Sequence, residues 1–176
     1  TDPDSVDVLG NSTGAKIGCV TESPSTEGPS GVDLVLKPAA VTGDLNQVGS
    51  QTLRVETNGV TITGFRAKIA YPTEFLQLVD QNGDPAGTTS ALEAFTDTFD
   101  MVFTNKYTPG LINFQSVALS KPNASSPFDA AKLRFKFIKC VDDISKLPSV
   151  IFTGDTAVTD PDSVDVLGNS TGAKIG

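Results

Sequence analysis

Short segments in which apolar and polar residues alternate recur along the chain from residue 32 onward. In residues 32–37, apolar side chains at the even positions alternate with residues such as Asp33 and Lys37, and Leu53 and Val55 alternate with Arg54 in a second segment. A period of two is typical of strands that bury one face. Further segments of this kind lie at residues 99–103, 112–114, 133–137, 150–152 and 164–167. The pattern predicts an all-β sandwich.

One segment has a different pattern. In residues 89–95, Ser90 is a suitable N-cap, and Leu92 and Phe95 are three positions apart, as on one face of a helix turn. The sequence therefore predicts one short helix here.

The first eighteen residues, 1–18, recur without a substitution as residues 159–176. Two identical copies indicate one period of a tandem array, although a simple terminal duplication would give the same letters. Residues 21–31, rich in Ser, Thr, Pro and Gly, have the composition of a linker. The predicted organisation is a closing strand of a preceding repeat at 1–18, a linker at 19–30 and a sandwich at 31–176.

The repeated segment suggests how units could be joined. The incoming copy could complete the next sandwich by β-augmentation as a donor strand, or the last copy could close its own sandwich, which is the simpler alternative. The apolar residues that would form this inter-repeat strand are Val6, Val8 and Ile17 in the first copy and Val164, Val166 and Ile175 in the second.

Composition excludes several function classes. The chain has no histidine, which removes the commonest general base, and its isolated glutamates Glu74 and Glu93 have no evident partner, so we expect no enzyme activity. A net charge of −8 disfavours nucleic acid as a partner. No apolar run is long enough to predict a membrane-spanning segment. No cofactor is expected other than Ca²⁺.

Three kinds of site are predicted. Asp160, Asp162 and Asp165 lie in one loop and could bind Ca²⁺, although a solvated acidic turn is the alternative. Cys19 and Cys140 have no metal-site spacing and predict one disulfide, with two unreactive thiols as the alternative; the parity of the strand at 131–140 places Cys140 away from the core. Sequons predict glycosylation at Asn11, Asn123 and Asn169.

Several segments together resemble the cohesin family, a group of bacterial surface β-sandwich modules. The resemblance covers residues 31–168 and is carried by residues 46–55, 64–78, 130–137 and 149–167. In the stretch 64–78, the sequence Tyr71-Pro72 lacks the Asp of the family pattern Tyr-Asp-Pro. The resemblance implies a jelly-roll sandwich of about nine strands, an extracellular or cell-surface location and, in cellulosomes, binding of a dockerin module through a sheet face.

The repeat and the resemblance lead to two functional hypotheses. Exact repetition favours a structural unit of an extracellular filament or surface stalk, with neighbouring units as partners. The alternative is a cohesin-type module that captures a dockerin-like partner or a polysaccharide. The chain has no Trp and only two Tyr, so it offers few aromatic rings on which a sugar could stack.

Overall fold

The computed structural model describes residues 31–88, 90–141 and 147–175. Two β-sheets share one hydrophobic core in this part of the chain. The predicted preceding strand at 1–18 and the predicted linker at 19–30 lie outside the described residues.

The first sheet has the spatial order β12-β1-β3-β9-β5, and β6 also pairs with β9. Its long central strands pair antiparallel, whereas the edge strand β12 runs parallel to β1. The strands are β1 (Val32–Lys37), β3 (Val48–Glu56), β5 (Leu76–Leu78), β6 (Glu93–Ala94), β9 (Phe128–Phe137) and β12 (Leu167–Thr171).

The second sheet has the order β2-β13-β10-β4-β8-β7, and β11 also pairs with β4. Most of its pairs are antiparallel, and β13 runs parallel to β2. The strands are β2 (Ala40–Val41), β4 (Gly64–Ala70), β7 (Met101–Thr108), β8 (Leu111–Val117), β10 (Ser149–Phe152), β11 (Ala157–Thr159) and β13 (Ala173–Ile175).

The core forms where the apolar sides of the two sheets meet, and phenylalanine rings fill much of it. Phe65 lies 5.9 Å from Phe114 and 6.1 Å from Phe99 between ring centroids, and Phe99 contacts Phe128 edge-on at 5.0 Å. Rings at these separations add to the stabilisation that comes from burying their area. The alternation in the sequence therefore predicts most of the inward-pointing residues correctly, whereas Phe103 and Val164 are exposed.

The predicted short helix at residues 89–95 is wrong. Within the described residues there is no helix, and hence none that could span a membrane. Glu93 and Ala94 instead form β6, and the Asn105 side chain receives a hydrogen bond from the Leu92 N–H and donates one to the Leu92 carbonyl. These contacts with distant strands satisfy the backbone groups that a helix would have paired locally.

The predicted all-β class and sandwich architecture are confirmed, but the strand count of about nine is too low. Thirteen strands occur in the described residues. The additional ones are short, such as β2 and β6 with two residues each. Segments of two or three residues carry too little alternation to be seen in a sequence.

Candidate functional site

The outer face of the second sheet is the candidate site. Strand register places Ile151, Ala70 and Leu111 side by side on this face, and Lys68, Asn113 and Lys106 in the next row. We call these six residues, together with Phe103, the mixed face. The neighbouring residues Ile69 and Ile112 point the other way and are fully buried in the core, which fixes the outward direction of the rows.

Large apolar side chains are exposed on the mixed face. Ile151 is 50% exposed and Leu111 is 37% exposed, although both lie on strands that are paired on both sides. Phe103 is 61% exposed because the register of β7 shifts between Val102 and Thr104, which makes it the extra residue of a β-bulge. Folding alone gives no reason for apolar groups at these outward positions, so they are candidates for contact with a partner.

A hollow of about 570 Å³ lies between the rows of the mixed face, lined in part by Lys68, Lys106, Leu111 and Asn113. The Asn113 Oδ1 atom is buried and has no hydrogen-bond partner. A buried acceptor without a donor is costly, typically by about 1–3 kcal/mol.

The mixed face carries positive charge on an acidic protein. Lys68 pairs with Asp155, and this hydrogen bond holds the pKa of the Asp155 carboxyl below its ordinary value. Lys106 and the nearby Arg66 form no ion pair with any described residue. Because two of the three cations are not neutralised, the face is electrostatically suited to an acidic partner.

The free edge of the second sheet beside the mixed face is partly covered. The Ala91 N–H donates to the Asn105 carbonyl at 3.3 Å and the Tyr107 N–H donates to the Thr88 carbonyl at 3.4 Å. An uncovered edge strand invites another strand to pair with it. Because these contacts cover the middle of β7, the sheet face is more accessible than this edge.

The outer face of the first sheet is different, and we call it the charged face. Arg54 donates from Nε to Glu56 at 2.8 Å and from Nη1 to Asp129 at 2.9 Å, and Lys37 also donates to Glu56 at 2.7 Å. The Lys37 hydrogen bond is the main cause that lowers the pKa of Glu56, and the bond to Asp129 is the main cause that raises the pKa of Arg54. The charges of this cluster are paired within the protein, whereas Lys132 and Lys136 on the same face form no ion pair with a described residue.

The isolated glutamates are also paired. Glu74 accepts a hydrogen bond from Lys139, and Glu93 accepts one from Arg134 on the charged face. The two carboxylates thus serve as partners of surface cations, and nothing in the described residues places them together as an acid and a base.

The structure does not bring Asp160, Asp162 and Asp165 together as a calcium site, and the described residues hold no group of three or more acidic, His or Cys side chains that could bind a metal ion. The Asp160 Oδ1 atom accepts hydrogen bonds from the Asp162 and Val164 N–H groups. The Asp165 Oδ1 atom accepts from the Val158 and Leu167 N–H groups. The oxygens cap the backbone of a tight turn, so the solvated-turn alternative describes them better.

The predicted modification sites lie at the surface. Cys140 is exposed just after β9, in agreement with the parity of that strand, while its predicted partner Cys19 lies outside the described residues. Asn123 is exposed in the connection between β8 and β9, and Asn169 is exposed on β12. Asn11 lies outside the described residues. Glycosylation and the disulfide stay predictions.

The predicted inter-repeat strand is divided by the fold. Ile175 is fully buried in β13 and Val166 packs partly against the core, so this end of the chain closes its own sandwich. Val164 is 54% exposed in the turn before β12 and does not contribute to the core. Val6, Val8 and Ile17 of the first copy lie outside the described residues.

Sequence reasoning missed the mixed face. Part of the signal was present, because Leu111 and Ile151 occupy positions that alternate with the core residues Ile112 and Val150. An apolar patch on the outward side of neighbouring strands is informative, but only the register brings these two residues into one row. The position of Asn113 opposite Lys68 and Lys106 depends on register and could not be read from the chain.

Comparison with known proteins identifies the fold. No protein-family model and no curated protein matches the chain. Among solved structures, the sixth cohesin of Acetivibrio cellulolyticus scaffoldin B, in complex with a Cel5 dockerin, matches with a TM-score of 0.63 at 14% identity over 83% of this chain and 98% of that chain.

Two other cohesins show how widely this likeness extends. Type II cohesin A11 from Bacteroides cellulosolvens has a TM-score of 0.60 at 20% identity, over 82% of this chain and 99% of that chain. The cohesin module of a Clostridium perfringens family 33 glycoside hydrolase has a TM-score of 0.60 at 16% identity, over 84% of this chain and 98% of that one. The chain therefore has the β-sandwich fold of cohesin modules, as its resemblance to that family implied.

Proposed function

We propose that the protein is a non-catalytic binding module that captures a dockerin-like protein module on the mixed face, outside the cell or at its surface. The observation that carries this proposal is the exposure of Leu111 and Ile151 on fully paired strands. The similar Acetivibrio cellulolyticus cohesin is in complex with a dockerin, which supports the class of partner.

The chemistry of the mixed face specifies the partner further. Ile151 and Leu111 require apolar side chains opposite them, and burying both would contribute on the order of 2 kcal/mol. Lys106 and Arg66 favour carboxylates. A partner with apolar residues flanked by acidic ones meets both requirements.

A polysaccharide fits this surface less well. Tyr71 is only 6% exposed and packs against Phe135 at 5.2 Å, so its ring is not accessible to a sugar. Tyr107 packs partly against the core, and its hydroxyl donates to the Ala86 carbonyl at 2.8 Å. Surfaces that bind sugars normally present exposed aromatic rings. Among the large exposed hydrophobic side chains of the described residues, Phe103 is the only aromatic one.

Titration of the immobilised chain with a panel of dockerin modules, including the Cel5 dockerin and those encoded by the source organism, tests the proposal. The variant L111D/I151D should lose binding by at least about 100-fold, because two charges would be buried against the partner. The matched control S50D/T52D adds the same two negative charges to the charged face, and it should bind as the parent does. Absence of binding across the panel, or equal loss in both variants, would contradict the proposal.

A structural role in an extracellular filament or stalk is the second candidate. The identity of residues 1–18 with the segment that forms β12 and β13 favours it, since the chain carries two copies of the strand that closes the sandwich. Donor-strand joining and a Cys19–Cys140 disulfide belong to this candidate. Electron microscopy of the native material distinguishes the two, because a filament with a repeat of one sandwich is expected only for the structural role.

A further inference from the structure

The last strands of the chain lie in a groove formed by both sheets. Residues 167–171 pair with β1, and residues 173–175 lie between β10 and β2. We call this the closing groove, formed by residues 31–35, 39–41 and 147–151. Backbone hydrogen bonds hold the strand at both ends of the groove. At one end the Val32 N–H donates to the Val166 carbonyl at 2.9 Å, and at the other the Ile175 N–H donates to the Pro148 carbonyl at 3.0 Å.

Two glycines are required for a strand to fit the closing groove. A Cβ atom on Gly168 would lie 3.0–3.1 Å from the Gly31 backbone, and one on Gly172 would lie 2.2 Å from the Val150 carbonyl oxygen. The second distance is too short for any side chain unless the backbone moves. A ligand for the groove therefore needs glycines four positions apart.

Buried side chains fix the register of the strand in the groove. Ala173, which directly follows the second glycine, is 6% exposed, and Ile175 is fully buried. The Asn169 N–H donates to Asp33 Oδ1 at 2.7 Å, and Lys174 Nζ donates to Ser149 Oγ at 2.8 Å. Together these contacts define a sequence requirement for the strand in the groove.

Residues 1–18 meet every one of these requirements, because they repeat the ligand letter for letter. Gly10 and Gly14 correspond to the two required glycines, and Ala15 and Ile17 correspond to the buried residues. We propose that the closing groove is a strand-binding site with two equivalent ligands in the chain, and that residues 1–18 of the same molecule occupy it whenever residues 159–175 do not.

The connection to the rest of the chain allows this exchange. A strand in the groove ends beside Val41. Because ten residues of extended chain separate Val41 from Gly31, the two positions lie up to about 30 Å apart. The twelve residues 19–30 must bridge this distance; a flexible chain of that length has an r.m.s. span of about 19 Å and a maximum span of roughly 40 Å. The effective concentration of residues 1–18 at the groove is then on the order of 1 mM, well above that of a second copy at micromolar protein.

Matched substitutions in the two copies test the proposal in the full chain. The variant G172V/I175D expels the C-terminal copy, because it adds a side chain beside Val150 and a charge in the core. The variant G14V/I17D makes the same changes in the first copy, and a third variant carries all four. Val164→Asp, at a 54% exposed position of the same segment, is the control for the added charge.

Thermal unfolding and mass in solution by light scattering give the result. We expect G14V/I17D and Val164→Asp to unfold within about 2 °C of the parent, and G172V/I175D to stay folded and monomeric with a midpoint lowered by about 5 °C or less. The fourfold variant should lose at least about 10 °C more or fail to fold. Equal unfolding temperatures for G172V/I175D and the fourfold variant, whether both high or both low, would overturn the proposal. If G172V/I175D is folded but dimeric, the strand in the groove comes from a second molecule, and the proposal that residues 1–18 of the same molecule supply it is overturned.

Discussion

The charged face and the mixed face belong to one sandwich and share one core, but they differ in whether their polar groups find partners within the protein. On the charged face, Arg54 links Glu56 and Asp129, and Lys37 adds a further donor to Glu56. On the mixed face, Asn113 lacks a donor and Lys106 lacks a described counter-ion. The difference teaches that folding pairs the polar groups around Arg54, whereas it leaves the Asn113 acceptor and Lys106 without partners among the described residues.

Removing the centre of the charged face should give the largest change in stability. Arg54→Ala leaves Glu56 and Asp129 without their shared partner and should lower the free energy of unfolding by about 1–1.5 kcal/mol, a value limited because these side chains are partly exposed. Urea unfolding measures it. Arg66→Ala, a control on the other sheet at a position that forms no ion pair with a described residue, should change the free energy of unfolding by less than about 0.5 kcal/mol. Equal losses would abolish the distinction between the faces.

The opposite sign is expected at Asn113. Asn113→Val removes the buried acceptor that has no donor, and its branched side chain suits a strand, so the free energy of unfolding should rise by about 1 kcal/mol. A loss of stability in urea unfolding would show that the oxygen is satisfied in solution.

Acid should act on the charged face through Glu56. Its pKa is lowered in the folded protein, chiefly by the Lys37 hydrogen bond, so its carboxylate contributes stability above its ordinary pKa and loses that contribution as the pH falls through the lowered value. Glu56→Gln should therefore cost less than about 1 kcal/mol at pH 7, and the difference from the parent should shrink towards zero as the pH falls below the lowered pKa of Glu56. A difference that is independent of pH would contradict this account.

The smallest effect on stability is expected from Ile151→Thr. Because Ile151 is 50% exposed and threonine also suits a strand, the free energy of unfolding should change by less than about 0.5 kcal/mol. Affinity for a dockerin-like partner should nevertheless fall severalfold, as titration calorimetry can measure. A large loss of stability would mean that this side chain packs within the protein, and the mixed face would then lose its main argument.

Much of the fold could be predicted because it depends on alternation. Leu133, Phe135 and Phe137 were placed on one face of a strand by their spacing, and all three are buried in β9. Alternation failed at Phe103, which continues the pattern of Phe99 and Met101 but is 61% exposed. A β-bulge adds one residue and reverses the parity, and no letter in the sequence marks it.

The roles of polar side chains were less predictable, because they depend on which backbone groups the folded chain brings within hydrogen-bond distance. The aspartates of the 160–165 turn suggest a calcium loop by composition, but nearby N–H groups take up the oxygens of Asp160 and Asp165. Likewise, the Asn105 side chain holds Leu92 in an extended segment where the local pattern predicts a helix. Both outcomes depend on which backbone groups the fold brings close, which spacing alone does not contain.

The parallel pairing of β1 with β12 has a mechanical consequence. The two strands begin side by side, with Gly31 against Gly168, and run in the same direction towards Ile175 at the far end of the closing groove. A force that pulls Gly31 and Ile175 apart would load their hydrogen bonds in shear, so that the bonds must break together and not one after another. The parallel pairing therefore gives resistance to a force applied between these two points.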